Sequence, residues 1–433
     1  MTANDRFERT MSAWLSDDAA FRVPDHLGEV LAMTRETPQR PAWSSLERWL
    51  PMDTTFRPRL FNVPAGARLL ALAALLLLIA AIAIFAVGSQ QRLPAPFGIA
   101  RNGIVITSQD GDLFRVDPST SDRKPMGLGE GYDFSPIFSR DGTRFMVLRS
   151  DAPAPTAPGS IATLTLYVAN ADGSGLRAVT APTESLDWMD WAPDGTRIAY
   201  VAKQQLWVVD IATGEPRRIS GVGPAHFPTW RPPDGNEILF RQETRSPAIF
   251  AISPDGASER RPVSKTPANN EADYQGISLA PDGAHLTFTR WFEDVPDVAA
   301  NGWLPRTVVL DIATGAEVML PAEPGTGQLG GAYSPDSKLV AYARIYRTGG
   351  YQLVVANADG SGNERTIGDK RPSRPDGSDV RATWAFTPDG TGLIVRYGTD
   401  DQATAYLMPL DGSTPIDLGS GGFSFTDVQR LAP

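Results

Sequence analysis

One phrase, an apolar residue followed closely by Pro-Asp-Gly, recurs through most of this chain and limits its fold more than any other feature. It stands as Phe138-Ser139-Arg140-Asp141-Gly142, Trp191-Ala192-Pro193-Asp194-Gly195 and Trp230-Arg231-Pro232-Pro233-Asp234-Gly235. It returns as Leu279-Ala280-Pro281-Asp282-Gly283, Tyr333-Ser334-Pro335-Asp336-Ser337 and Phe386-Thr387-Pro388-Asp389-Gly390. The aspartates lie 53, 40, 48, 54 and 53 residues apart, the period of one propeller blade. Each phrase precedes a short β-rich run, as in Arg197–Ala202 or Leu339–Arg344, then a third run that ends in a second turn. Ala171-Asp172-Gly173, Asp210-Ile211-Ala212-Thr213-Gly214 and Asp311-Ile312-Ala313-Thr314-Gly315 are such turns. Asp caps its own turn and Gly supplies positive φ, so two hairpins share one four-stranded sheet.

Counting turns predicts the ring size. There are six first turns, but a degenerate second turn at Asp117-Pro118-Ser119-Thr120-Ser121 adds a seventh copy that lacks its innermost strand. The missing strand is expected at Thr426–Pro433, where Leu431-Ala432-Pro433 matches Leu279-Ala280-Pro281. The expected fold is all-β: a seven-bladed β-propeller over 97–433 whose C-terminal strand closes the first blade and removes the exposed edges. Motifs such as Trp191–Tyr200 and Leu166–Thr180 resemble the TolB-type, WD40-like (PD40) propeller repeat of bacteria, over roughly residues 100–433. Departures from that repeat are Arg140 for Pro, the doubled Pro232-Pro233, and Ser337 for Gly.

Before the repeats, Leu69–Val87 holds twelve Leu, Ile, Phe or Val and seven Ala, with no charge, Pro or polar side chain. At 1.5 Å per residue it spans about 29 Å, close to a hydrocarbon core of roughly 30 Å. Insertion is favoured by about 4–7 kcal/mol. A transmembrane helix over 67–88 is expected, retained as an anchor because a signal peptide would lie nearer the start. Arg48, Arg57, Arg59 and Arg68 precede it, against Arg92 and Arg101 after it. The N-terminus is therefore expected in the cytoplasm and the propeller outside, in a single-pass cell-membrane protein.

Residues 1–66 read as a helical cytoplasmic tail and 89–96 as a linker. Phe7, Met11, Trp14 and Leu15 share one helix face, Asp25 caps a second segment, and Ser44 with Glu47 forms a capping box for a third. Acidic residues slightly outnumber arginines there and Lys is absent, which disfavours a membrane-surface helix. A partner-binding tail is expected, with a loosely ordered spacer as the alternative. The arrangement is similar to membrane regulators whose cytoplasmic tail holds a sigma factor, although the His and Cys zinc-type motif of many such tails is missing.

The chain lacks Cys and carries net charge -10, which excludes disulfides, thiolate chemistry and a phosphate-binding surface for nucleic acid. No Gly-x-Ser-x-Gly elbow is found, so the expectation is that the chain is not an enzyme, does not gate a peptidase, has no catalytic residues, and needs no cofactor. His26, His226 and His285 are scattered, and no metal site is expected. The repeated aspartates are assigned to turns, and Trp191, Trp230, Tyr333 and Phe386 to packing between blades rather than ligand stacking. Both Asp-Gly turn sets lie on one face; the long insertions, 149–162, 266–273, 291–306 and 368–379, lie on the other. Such one-sided insertions mark a binding face. Its candidate ligand- or partner-binding residues are Trp291, Phe292, Glu293, Asp294, Asp297, Trp303 and Arg306 from one loop, and Lys370, Arg371 and Arg374 from another. Two functions follow: a sensing module that binds a protein or small ligand and regulates a cytoplasmic partner, or a structural scaffold of the envelope.

Overall fold

The computed structural model describes residues 74–75, 95–152, 163–183, 185–219, 223–242, 248–264, 275–292, 304–373, 380, 382–398, 403–421 and 426–432. The chain divides into two compact units, Met1–Ser89 and Gln90–Pro433. In the first, Ala74 and Leu75 are helical; the rest of the expected span and the tail helices lie outside the described residues. Among the described residues no helix is long and apolar enough to cross a membrane.

The second unit holds seven four-stranded antiparallel sheets. Blades two to seven are simple meanders. Their innermost strands are Tyr132–Phe138, Leu186–Trp191, Ala225–Trp230, Gln275–Leu279, Thr326–Tyr333 and Ala382–Phe386. Blade one is composite: Thr426–Leu431 pairs antiparallel with Arg101–Gln109, from Arg101 opposite Leu431 to Thr107 opposite Thr426. The predicted closure by the last strand is therefore present. Side chains of that strand also reach blade two. Gln429 Nε2 donates to Gly142 O at 2.7 Å, and Asp427 Oδ2 accepts from Phe138 N at 2.7 Å.

The turns form as the repeat requires. Asp194 Oδ1 accepts from Thr196 N at 2.9 Å, and Asp210 Oδ1 from Ala212 N at 2.8 Å. Hydrogen bonds of this kind hold the Asp210, Asp311 and Asp411 carboxyls below the usual carboxylate range, and the Ser174 hydroxyl and amide do the same for Asp172. Every pair of neighbouring blades shares an apolar cluster. Blades one and two share Ile106 and Phe145, blades two and three Leu166 and Trp191, and blades three and four Ala199 and Trp230. The remaining seams hold Leu239 with Phe288, Val309 with Tyr342, Ile367 with Leu393, and Val105 with Leu418. Trp191 and Trp230 are buried, and each donates Nε1 to the preceding blade, to Ile137 O at 3.0 Å and Asp190 O at 3.2 Å. Both indoles thus pack between blades, as the repeat position suggested, with their one polar atom satisfied.

Candidate functional site

On the face opposite the turns, the expected loops are partly strand. The second and third strands of blade five, His285–Phe292 and Leu304–Asp311, run on past the blade body, pairing Trp291 with Pro305 and Phe292 with Leu304. Glu293, Asp294, Asp297 and Trp303 lie outside the described residues, as does Arg374. Arg306 is placed on a strand and is 7% exposed; its Nη1 donates to Thr326 O of blade six at 2.6 Å. It ties two blades rather than facing outward. The outer strand of blade six, Arg365–Arg371, takes in what the spacing assigned to a connecting loop, because a bulge at Gly368 lets Arg371 pair with Tyr351. Lys370 and Arg371 are exposed there, with Lys370 Nζ 4.2 Å from the Tyr346 ring centre and Arg371 Cζ 4.2 Å from that of Tyr397. Both cations are thus held over aromatic faces.

The turn-bearing face, which has no long insertions, holds a second candidate. The innermost strands of all seven blades line a central cavity of about 530 Å³ at the end of the ring that carries the Pro-Asp-Gly turns. Small-molecule sites run roughly 300–1,000 Å³. Four blades present proline at its rim, Pro232, Pro281, Pro335 and Pro388. Blade two presents Arg140 instead. Its Nη2 donates to Asp190 Oδ1 at 2.9 Å, and its guanidinium lies 5.2 Å from the Phe97 ring centre. Asp190 Oδ2 accepts from Trp230 N at 2.9 Å. Beside this pair, burial raises the Asp427 carboxyl above its ordinary value, despite hydrogen bonds from the Phe138 and Val428 amides. Burial, with Arg140 nearby, lowers Arg430 to about 10.

The segment Ala95–Ala100 runs along this rim. Arg430 Nη2 donates to Ala95 O at 3.1 Å and Gly98 O at 2.7 Å, and Ala100 N donates to Pro388 O at 2.9 Å. Phe97 is thereby set against the cavity. The substitution of Arg140 for proline was one sequence signal for this site, and its meaning required knowing that the repeat position faces the channel.

No family model matches the chain. A 216-residue stretch is 27% identical to dipeptidyl-peptidase 5 of Porphyromonas endodontalis, covering 47% of this chain and 28% of that protein. The chain thus spans well under half of that relative. Among solved structures, TolB from Acinetobacter baumannii matches with a TM-score of 0.46 and 19% identity, over 61% of this chain and 62% of that one. Oligogalacturonate lyase from Vibrio parahaemolyticus matches with a TM-score of 0.53 and 14% identity, over 74% of this chain and 95% of that one. The ring is a seven-bladed β-propeller.

These findings correct the expectation that the chain is not an enzyme. A peptidase is a sequence relative, and a lyase shares the ring. The exclusion rested on a missing nucleophile elbow, which tests for one kind of serine chemistry only. Carboxylates, imidazoles or phenols in a cavity can carry acid–base chemistry without it.

Proposed function

We propose that this propeller is a membrane-tethered binding module. The ring takes a ligand or protein outside the cytoplasm, and the helical tail regulates a cytoplasmic protein such as a sigma factor. The observation that carries the proposal is the uncharged run Leu69–Val87, set between a patterned tail and a ring that seals its own edges. A ring closed by its last strand leaves binding to its two faces. Lys370 and Arg371, held over Tyr346 and Tyr397, supply cations on the face away from the turns. Arg and aromatic side chains are enriched at binding hot spots.

The test is site-specific photo-crosslinking of the full-length chain in membranes, from Trp14 in the tail and from Arg371 in the ring. Crosslinks from Trp14 to a cytoplasmic transcription factor are the expected result. Trp291→Ala and Trp303→Ala are expected to weaken capture by the ring while the melting temperature holds. Recovery of the chain in the aqueous fraction, or unchanged signalling after deletion of 2–50, refutes the proposal and favours the envelope scaffold.

A further inference from the structure

The innermost strands of blades two to six share a β-bulge at one repeat position, three residues before the large apolar residue that opens each turn phrase. The residues there are Ser135, Trp188, Phe227, Gly276 and Gly330, and all have positive φ. Blades five and six show that glycine suffices for the bend. Trp188 at φ 36 and Phe227 at φ 53 occupy the same conformation with bulky side chains, which costs an L-residue roughly 1–2 kcal/mol. Strain of this kind concentrates at ligand clamps and active sites. The bulge turns both rings into the central cavity, which they line. Their centroids are 4.8 Å apart at 55°, forming one ledge. Trp188 is 40% exposed, whereas Trp191 and Trp230 are at 0% and 1%. A tryptophan kept for packing would be buried, and one kept for the bend would be glycine.

Polar groups stand beside the ledge on the same cavity wall. Arg140 engages Asp190 through Nη2, which leaves other guanidinium N–H groups to donate. The Asp190 oxygens each retain acceptor capacity beyond the single bonds from Arg140 and Trp230. A paired cation and anion carry no net charge, so neither an anion nor a cation is selected. A hydroxyl, which donates and accepts at once, satisfies both. Sugar C–H groups carry partial positive charge and meet the negative face of an indole.

The geometry points to a saccharide site in the central cavity, with a neutral sugar ring stacked on Trp188 and Phe227 and its hydroxyls bound by Arg140 and Asp190. It builds on the binding role proposed above but lies on the other face of the ring, so its success does not depend on the tail.

The test uses the full-length chain in detergent, titrated calorimetrically with maltotriose, cellotriose and triacetylchitotriose. Trigalacturonate and a proline-rich hexapeptide are the contrasting arms. At least one neutral trisaccharide is expected to bind saturably and to protect Trp188 from N-bromosuccinimide oxidation, mapped by mass spectrometry. Trp188→Gly, which suits the left-handed backbone, is expected to keep the fold and weaken binding roughly tenfold. Phe227→Gly gives a second variant should Trp188→Gly melt early, and the oxidation map needs no variant. Three outcomes overturn the inference: no neutral sugar binds, only the charged or peptide arm binds, or Trp188 is not protected. Loss of sugar binding with tail crosslinking intact sinks the saccharide site alone; the reverse sinks the regulatory proposal alone.

Discussion

Closure of the ring by the C-terminal strand can be weighed by a matched pair of substitutions. Gly142 and Gly195 occupy the same turn position in blades two and three, at φ 67 and φ 65. Alanine at either pays the left-handed penalty of about 1–2 kcal/mol. Their surroundings differ. A Cβ on Gly195 would find its nearest neighbour, Arg144 Nη2, at 3.5 Å, an ordinary contact. A Cβ on Gly142 would stand 2.0 Å from Arg430 O and 3.1 Å from Arg430 C, both backbone atoms of the closing strand. That carbonyl must retreat by roughly 1 Å, which loosens the pairing of Arg101 with Leu431 and the bond from Gln429 to Gly142 O. Overpacking of this sort costs about 1–3 kcal/mol more. Gly142→Ala should therefore lose about 2–5 kcal/mol and Gly195→Ala about 1–2 kcal/mol. Urea unfolding of the full-length chain, followed by tryptophan fluorescence, measures both. Limited proteolysis should release the C-terminal peptide from Gly142→Ala first. Equal losses in the two variants, with equal resistance of the last strand, refute the claim that this strand clamps blades one and two.

Four further expectations rest on named contacts. Burial alone would raise the Asp141 carboxyl, but hydrogen bonds from the Ser139 hydroxyl, the Thr143 amide and the Thr143 hydroxyl, with Arg144 nearby, hold it below its ordinary value. Its stabilisation is then present above the unfolded aspartate value of about 3.9 and lost as pH falls through the lower folded value. Asp141→Asn should lower the urea midpoint at pH 6 and flatten its fall below pH 4. Asp133→Ala strands the mostly buried Arg149, which now bonds both carboxylate oxygens at 2.8 Å, and should cost about 3–5 kcal/mol. Asp417→Ala breaks the exposed pair with Arg123 and should cost under about 1 kcal/mol by the same measurement. Trp191→Ala empties the seam between blades two and three and unpairs Ile137 O, for a loss of about 3–5 kcal/mol in chemical unfolding.

The ring was legible because its physics is local and repeated. An Asp-Gly pair dictates a turn wherever it occurs, and six copies fix a blade period without knowledge of tertiary contacts. The closing strand was legible by subtraction, since a blade lacking one strand leaves an edge that the unused Thr426–Leu431 can fill. Insertion length proved a weaker guide. Arg306 sits in a stretch that reads as loop, yet strand pairing carries it into the ring, where a buried carbonyl takes its charge. Polar identity does not tell whether a side chain faces solvent or a neighbouring blade. Lys370 and Arg371 were placed in a connection for a similar reason: a single bulge at Gly368 extends the strand past the point where alternation breaks.

The cavity was hidden for a more specific reason. Periodicity reports which face of a strand a residue occupies, and it assumes extended backbone throughout. At Trp188 and Phe227 that assumption fails, because the left-handed residue re-aims its own side chain. Neither side chain signals such a conformation; the signal sits in the other blades, where Gly276 and Gly330 hold the same position. Counted from the large apolar residue of each turn phrase, two aromatics stand against two glycines in one column. A column that tolerates glycine for backbone reasons and still carries Trp and Phe calls for a side-chain explanation. Arg140 against five prolines is the same kind of contrast. In a repeat protein the shared features specify the fold, so departures from them at one column are where function has room to reside.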